Sequence, residues 1–174
     1  VMDLITYDRI KFLHPKIRKE VRELYDKANK GLPQFVRLRF AYTLRTFDEQ
    51  DKIFAQGRTI LFDKNGKRLG KVTNAKGGQS IHNYGLAFDY VILLDKDKNG
   101  TFETANFETD DNWMKVVKIF KANNYHWGGD WGFKDPPHIE KTFGLTWRKK
   151  KKKLDSGDYF EEVIDGKKYK YVNI

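Results

Sequence analysis

The chain has 174 residues, 39% hydrophobic and 15% aromatic, with 34 Lys and Arg against 24 Asp and Glu for a net charge of +10. That length suits one domain with a short tail, and the aromatic content excludes a disordered chain. No apolar run approaches the ~18 residues of a membrane span, and the lack of cysteine excludes a disulfide scaffold, a thiolate zinc finger, an iron–sulfur site and a cysteine nucleophile. The charge favours an anionic partner: nucleic acid, a membrane surface or an anionic polymer.

Residues 15–30 predict a helix. Ile17, Val21, Leu24, Tyr25 and Ala28 recur at spacings of three and four, with Pro15 in the first turn and Gly31 at the stop. Residues 34–42 alternate, with Val36, Leu38, Phe40 and Tyr42 on one side and Arg37 and Arg39 on the other, a half-buried strand. Thr46 and Glu49 form a capping box that starts a second helix running to Gln56. Residues 63–78 are rich in Gly and Asn and predict a hairpin turned at Lys64-Asn65-Gly66, then a loop. Residues 86–94 are almost wholly apolar and predict a central strand with Asp89 set inside it. A turn at 95–100 follows, then a helix at 111–123 with Trp113, Val116, Val117 and Phe120 on one face. Short strands are expected at 125–127 and 138–141 around a loop. The basic run 148–153 reads as the end of the main domain and as a solvated linker. An Asp165-Gly166 turn then closes a terminal hairpin.

An Asp inside an apolar strand needs a partner, either a hydrogen-bonding cluster or a metal. His82 lies seven residues upstream across Gly85, which lets the backbone turn tightly, and His138 arrives from a distant strand. Two imidazoles and one carboxylate would leave a fourth zinc position to water, the pattern of a catalytic rather than a structural site. Asp135-Pro136-Pro137-His138, read as polyproline II, projects Asp135 and His138 from one side of the chain, roughly 9 Å apart along it. Asp135 can then be a general base while His138 holds the metal. Read singly, each residue also has an ordinary role: a histidine near a glycine is mostly structural, Asp89 can cap a loop, and Asp-Pro-Pro is a common turn. His14 reads as a helix-start residue and His126 as a core or loop residue. Glu140 reads either as a hydrogen-bond partner of a zinc ligand or as a surface acid.

Together, Ser80-Ile81-His82-Asn83-Tyr84-Gly85-Leu86-Ala87-Phe88-Asp89, the tryptophans Trp127 and Trp131, and Asp135 three residues before His138 resemble the M15 family of zinc peptidases. The resemblance runs from about Leu4 to about Trp147. Its wording is most similar to the L-alanyl-D-glutamate endopeptidase branch, that of phage endolysins and bacterial wall enzymes. It implies His82, Asp89 and His138 as zinc ligands and Asp135 as the base. It also implies Arg45 as a contact to the substrate carbonyl that stabilises the oxyanion, and Ser80 as a substrate contact. Trp127 and Trp131 would wall the cleft. The ordinary alternatives are a surface ion pair for Arg45, turn formation for Ser80 and core packing for the two tryptophans.

The expected fold is α+β: a small, mostly antiparallel sheet with helices packed on one side and zinc at the sheet edge. It would occupy residues 1–147, with 148–174 as a basic run and hairpin tail. The expected activity is hydrolysis of the stem peptides of peptidoglycan, foremost at the L-alanyl-D-glutamate bond. A D-alanyl-D-alanine carboxypeptidase or dipeptidase is the rival enzyme, and a wall- or nucleic-acid-binding module the rival of another class. The expected partner is peptidoglycan, met by a monomer with no specific nucleic acid and no membrane span. Residues 1–6 lack the form of a secretory signal, so release in the manner of phage lysins is expected. Asp95, Asp97, Asn99 and Gly100 match positions 1, 3, 5 and 6 of a calcium loop, but Asn106 stands where position 12 calls for Glu. A plain turn is therefore favoured over calcium binding.

Overall fold

In chain order the elements are α1 (Leu4–Ile10), α2 (Pro15–Lys30), β1 (Val36–Tyr42), α3 (Phe47–Ala55), β2 (Ala87–Leu94), β3 (Thr104–Asn106), α4 (Asp111–Lys121), β4 (His126–Trp127), β5 (His138–Glu140), α5 (Trp147–Asp155), β6 (Tyr159–Ile164) and β7 (Lys167–Val172). The structure, a computed structural model, describes residues 2–174; Val1, where the reading of the N-terminus begins, lies outside them. The fold is α+β, and its pairings among named strands are antiparallel. The chain forms two units: one runs up to Thr43 and includes Leu86–Lys141, and the other joins Leu44–Gly85 to Thr142–Ile174.

The first unit is built on a five-stranded sheet of order β1-β2-β5-β4, with β3 also paired to β2. Strand β2 aims Phe88, Tyr90 and Ile92 into the core, all fully buried. Phe40 of β1 stacks on Phe88 with ring centroids 4.1 Å apart, and Phe120 of α4 meets Phe88 edge-on at 4.9 Å. Tyr25 of α2 closes on Phe40 at 5.3 Å. Each such burial is worth about 1.5–3 kcal/mol, so this aromatic cluster anchors α2 and α4 to one sheet face. Helix α2 starts as its sequence predicts, with His14 as N-cap accepting from the Lys16 amide and Pro15 at the first position. Asp110 caps α4, whose buried residues are Trp113, Val116, Val117 and Phe120.

Two features of this unit differ from the sequence pattern. Tyr42 was expected inside with Phe40, yet it is 60% exposed. The register shifts between Phe40 and Tyr42, so Tyr42 faces Asp89 across the ladder. Such a bulge re-aims the side chains beyond it. The second is α1, which follows no apolar period: Leu4 and Ile5 are exposed while Asp3 and Thr6 are buried. Arg39 of β1, expected on the solvent side, instead pairs with Asp3 at 3.0 Å, and Thr6 bonds the Asp3 carboxylate at 2.7 Å.

In the second unit, Thr46 and Glu49 complete the capping box of α3. The turn at 63–66 closes through the Asp63 carboxylate, which accepts from the amides of Asn65 and Lys67. It carries a single bridge, Phe62 to Arg68, rather than extended hairpin strands. The basic run is helical and not a linker: it makes up most of α5, capped by Thr146. Lys and Arg are good helix formers. Lys150 is fully buried, and its ammonium donates to the carbonyls of Thr142 and Leu145. The terminal hairpin turns at Asp165 and Gly166, both with positive φ (52° and 77°), as a two-residue turn of this kind requires.

Candidate metal centre

Asp89 and His138 are directly paired residues of β2 and β5, the two inner strands of their sheet. Paired residues share a face, and Asp89 alternates with Phe88 and Tyr90, so both side chains lie on the face away from the aromatic core. The His138 side chain is only 7% exposed, and its Nδ1 lies 3.3 Å from Oδ1 of Asp89 and 4.0 Å from Oδ2 of Asp135. Its Nε2 lies 2.7 Å from Oε2 of Glu140. Glu140 therefore takes the Nε2 side and leaves Nδ1 facing Asp89 and Asp135. Burial alone would lower the His138 pKa; the hydrogen bonds and charges of Asp89 and Glu140 outweigh it and raise it to about 9. Three carboxylates around one imidazole favour a cation there, and the proton on His138 supplies one.

That shift has a measurable consequence in metal-free protein. His138 binds its proton more tightly folded than unfolded, so the stabilisation is complete below pH 6.5 and is lost as pH rises through about 9. Thermal melts of chelator-treated protein should show a melting temperature lower by roughly 5–10 °C at pH 9.5 than at pH 6.5. Glu140→Gln should flatten that dependence.

The loop before β5 is tied to its own backbone. Asp135 donates its amide to the Gly128 carbonyl at 2.9 Å and accepts the His138 amide at 3.1 Å. The latter closes a turn through Pro136 and Pro137, so the pair is not the polyproline II segment expected from the sequence. A proline φ near −65° suits a turn as well as polyproline II. The Trp127 indole donates to the Pro136 carbonyl at 2.7 Å, which pins the turn from the side. The Trp131 ring lies 5.0 Å from the His138 ring. The Asp135 side chain is 49% exposed, open to water while close to His138. A methyl group on Gly128 would come within 2.3 Å of the Asp135 carbonyl oxygen. Gly128→Ala should therefore shift the loop that carries Asp135 and lower both melting temperature and activity, measured by thermal melts alongside turnover.

In the second unit, His82 is buried in a single 3-10 turn, Ile81–Tyr84. Ser80 caps that turn by accepting the His82 amide, and Gly85 ends it in the left-handed conformation at φ 68°. Asn83 was not singled out from the sequence, but it organises this loop. Its carboxamide accepts from the amides of Gly78 and Ser80 and donates to the Arg45 carbonyl at 2.9 Å. Arg45 donates its own amide to the His82 carbonyl at 3.1 Å, so the two residues are adjacent through main chain. Its guanidinium bonds the Gln50 side chain at 3.1 Å. Gln50 is fully buried and in turn holds the Ala75 carbonyl.

The remaining sequence candidates fall elsewhere. His14 is the α2 cap. His126 lies exposed on β4 rather than in the core. Tyr42, placed opposite Asp89 by the bulge, is a neighbour of the site that the period-two pattern concealed. Asp95, Asp97 and Glu103 lie close enough together to hold one cation. The Asp95 carboxylate already accepts from the amides of Asn99 and Gly100, which closes the turn by protein groups.

A family model described as D-alanyl-D-alanine carboxypeptidase matches residues 73–141, a span that includes Ser80, His82, Asp89, Asp135 and His138. The chain is also 38% identical over 137 residues to the peptidoglycan L-alanyl-D-glutamate endopeptidase CwlK of Bacillus subtilis (strain 168), covering 74% of this chain and 72% of that protein. The chain belongs to the M15 family of metallopeptidases, on its endopeptidase side.

Proposed function

We propose that the chain hydrolyses the stem peptides of bacterial peptidoglycan at the L-alanyl-D-glutamate bond, with one zinc ion held by His82, Asp89 and His138. The observation that carries this reading is the Asp89–His138 pair, with the Asp135 carboxylate 4.0 Å from the same imidazole nitrogen. The choice of bond is supported by the relative's name, a peptidoglycan L-alanyl-D-glutamate endopeptidase. Two imidazoles with one carboxylate are a donor set that suits zinc. Zinc supplies Lewis-acid polarisation of a carbonyl and acidifies water.

The protein's own groups do the rest. Asp135 accepts a proton from the attacking water and returns it to the leaving amine. Glu140 holds Nε2 of His138 and so keeps Nδ1 available. Arg45, braced by Gln50, stabilises the developing oxyanion. Ser80, Trp127 and Trp131 contact the substrate. This machinery lies within residues 1–147 of a monomer acting at the cell wall, and 148–174 is an addition to it. Among the described residues no helix is long and apolar enough to cross a membrane.

Digestion of purified peptidoglycan, followed by mass analysis, tests the bond. Free peptides beginning with D-glutamate are expected, with L-alanine left on the glycan. Release of D-alanine alone would favour the carboxypeptidase reading, to which the matched family description points.

A further inference from the structure

We propose that α5 is a docking surface for the anionic phosphodiester polymers of the bacterial wall, holding the enzyme on its substrate. This rests on the reading that the chain acts on walls.

The helix is charged against its own stability. Its first turn holds Arg148 and Lys149 and no acidic residue, although the positive end of a helix disfavours cations. Arg148 and Lys152 stand four residues apart, as do Lys149 and Lys153, and like charges at that spacing repel on a helix surface. Folding uses only part of this charge. Lys150 is buried on the carbonyls of Thr142 and Leu145. Lys151 pairs with Asp155 at 2.6 Å and Lys153 with Asp158 at 2.5 Å. Arg148, Lys149 and Lys152 are exposed, and among the described residues no carboxylate pairs with them.

The three cations are placed for an extended anion. Arg148 lies over the Trp147 ring at 4.4 Å, which braces its planar fork for bidentate contact with phosphate. Lys152 follows one turn later, ~6 Å along the axis. Trp147, Arg148, Lys151, Lys152 and Asp155 line a shallow hollow of about 320 Å³. The exposed hairpin lysines Lys167 and Lys170 add positive charge to the same unit. A stretch that costs helix stability, yet spends one lysine anchoring itself, is accounted for by an external polyanion.

The test is co-sedimentation of the full chain with purified walls, before and after hydrofluoric acid removes their phosphodiester polymers. Wild-type binding should weaken with salt and fall at least tenfold on stripped walls. Arg148→Gln/Lys149→Gln/Lys152→Gln should lose at least tenfold in wall binding. Its melting temperature should hold or rise, because repulsion is removed, and its cleavage of a soluble stem peptide should be unchanged. The exposed single variant Lys152→Glu should show the same pattern in weaker form. Unchanged wall binding by both variants would overturn the proposal. Equal binding to stripped walls would also overturn it and point to peptide carboxylates, and tighter binding to duplex DNA than to walls at equal salt would point to nucleic acid. Failure to cut the soluble stem peptide would refute the proposed activity and leave the binding result standing.

Discussion

Asp135→Asn is expected to lower turnover per bound zinc on peptidoglycan by ~10²–10⁴, the usual contribution of a positioned acid–base group. Zinc content and melting temperature should not change. Asn has nearly the same size, and the backbone bonds that hold residue 135, to the Gly128 carbonyl and from the His138 amide, do not involve the carboxylate. If Asp135 were a ligand or a structural cap, zinc content or melting temperature would fall and any activity loss would follow it. Near-equal turnover would move the base to another group. Glu140 would be the next candidate, although its carboxylate is engaged with Nε2 of His138 at 2.7 Å.

His82→Ala is expected to lose most of the roughly one equivalent of zinc per chain, and activity with it. Three protein donors are the usual complement of a catalytic zinc site, and two bind far more weakly. The His82 main chain accepts from the amides of Arg45 and Gly85, so its loop should keep its course without the imidazole. His14→Ala is the control. His14 caps α2 through Nδ1, so that variant should lose about 1 kcal/mol of stability and keep its zinc. Elemental analysis of both proteins after metal loading and gel filtration decides the matter; undiminished zinc in His82→Ala would remove it from the ligand set.

The candidate site was read from the sequence by one costly residue and by a resemblance. An aspartate in an apolar strand calls for a partner on chemistry alone; the histidine before Gly85 and the Asp-Pro-Pro-His run have ordinary readings taken singly and became candidates through the family resemblance. Glu140 was half legible: its spacing from His138 put it on the same strand face, but only the structure shows its oxygen 2.7 Å from Nε2. The Pro136-Pro137 pair was misread because proline restricts φ without choosing between a turn and an extended helix. The choice fell to the Gly128 carbonyl and the Trp127 indole, which come from outside the segment.

By itself the sequence determined the periodic elements α2, β1, β2 and α4, the capping box of α3, and the Asp165-Gly166 hairpin. These rest on local spacing and turn chemistry, which act over a few residues. Tertiary structure alone decided α1, whose N-cap Asp3 is buried, bonded by Thr6 and paired with Arg39 from β1. It also decided the bulge that turns Tyr42 toward Asp89 and the helical α5, nailed down by a lysine whose charge suggested solvent. In each case the stabilising partner lies outside the local pattern or off its period, and a burial pattern read along the chain cannot register a hydrogen bond made across it.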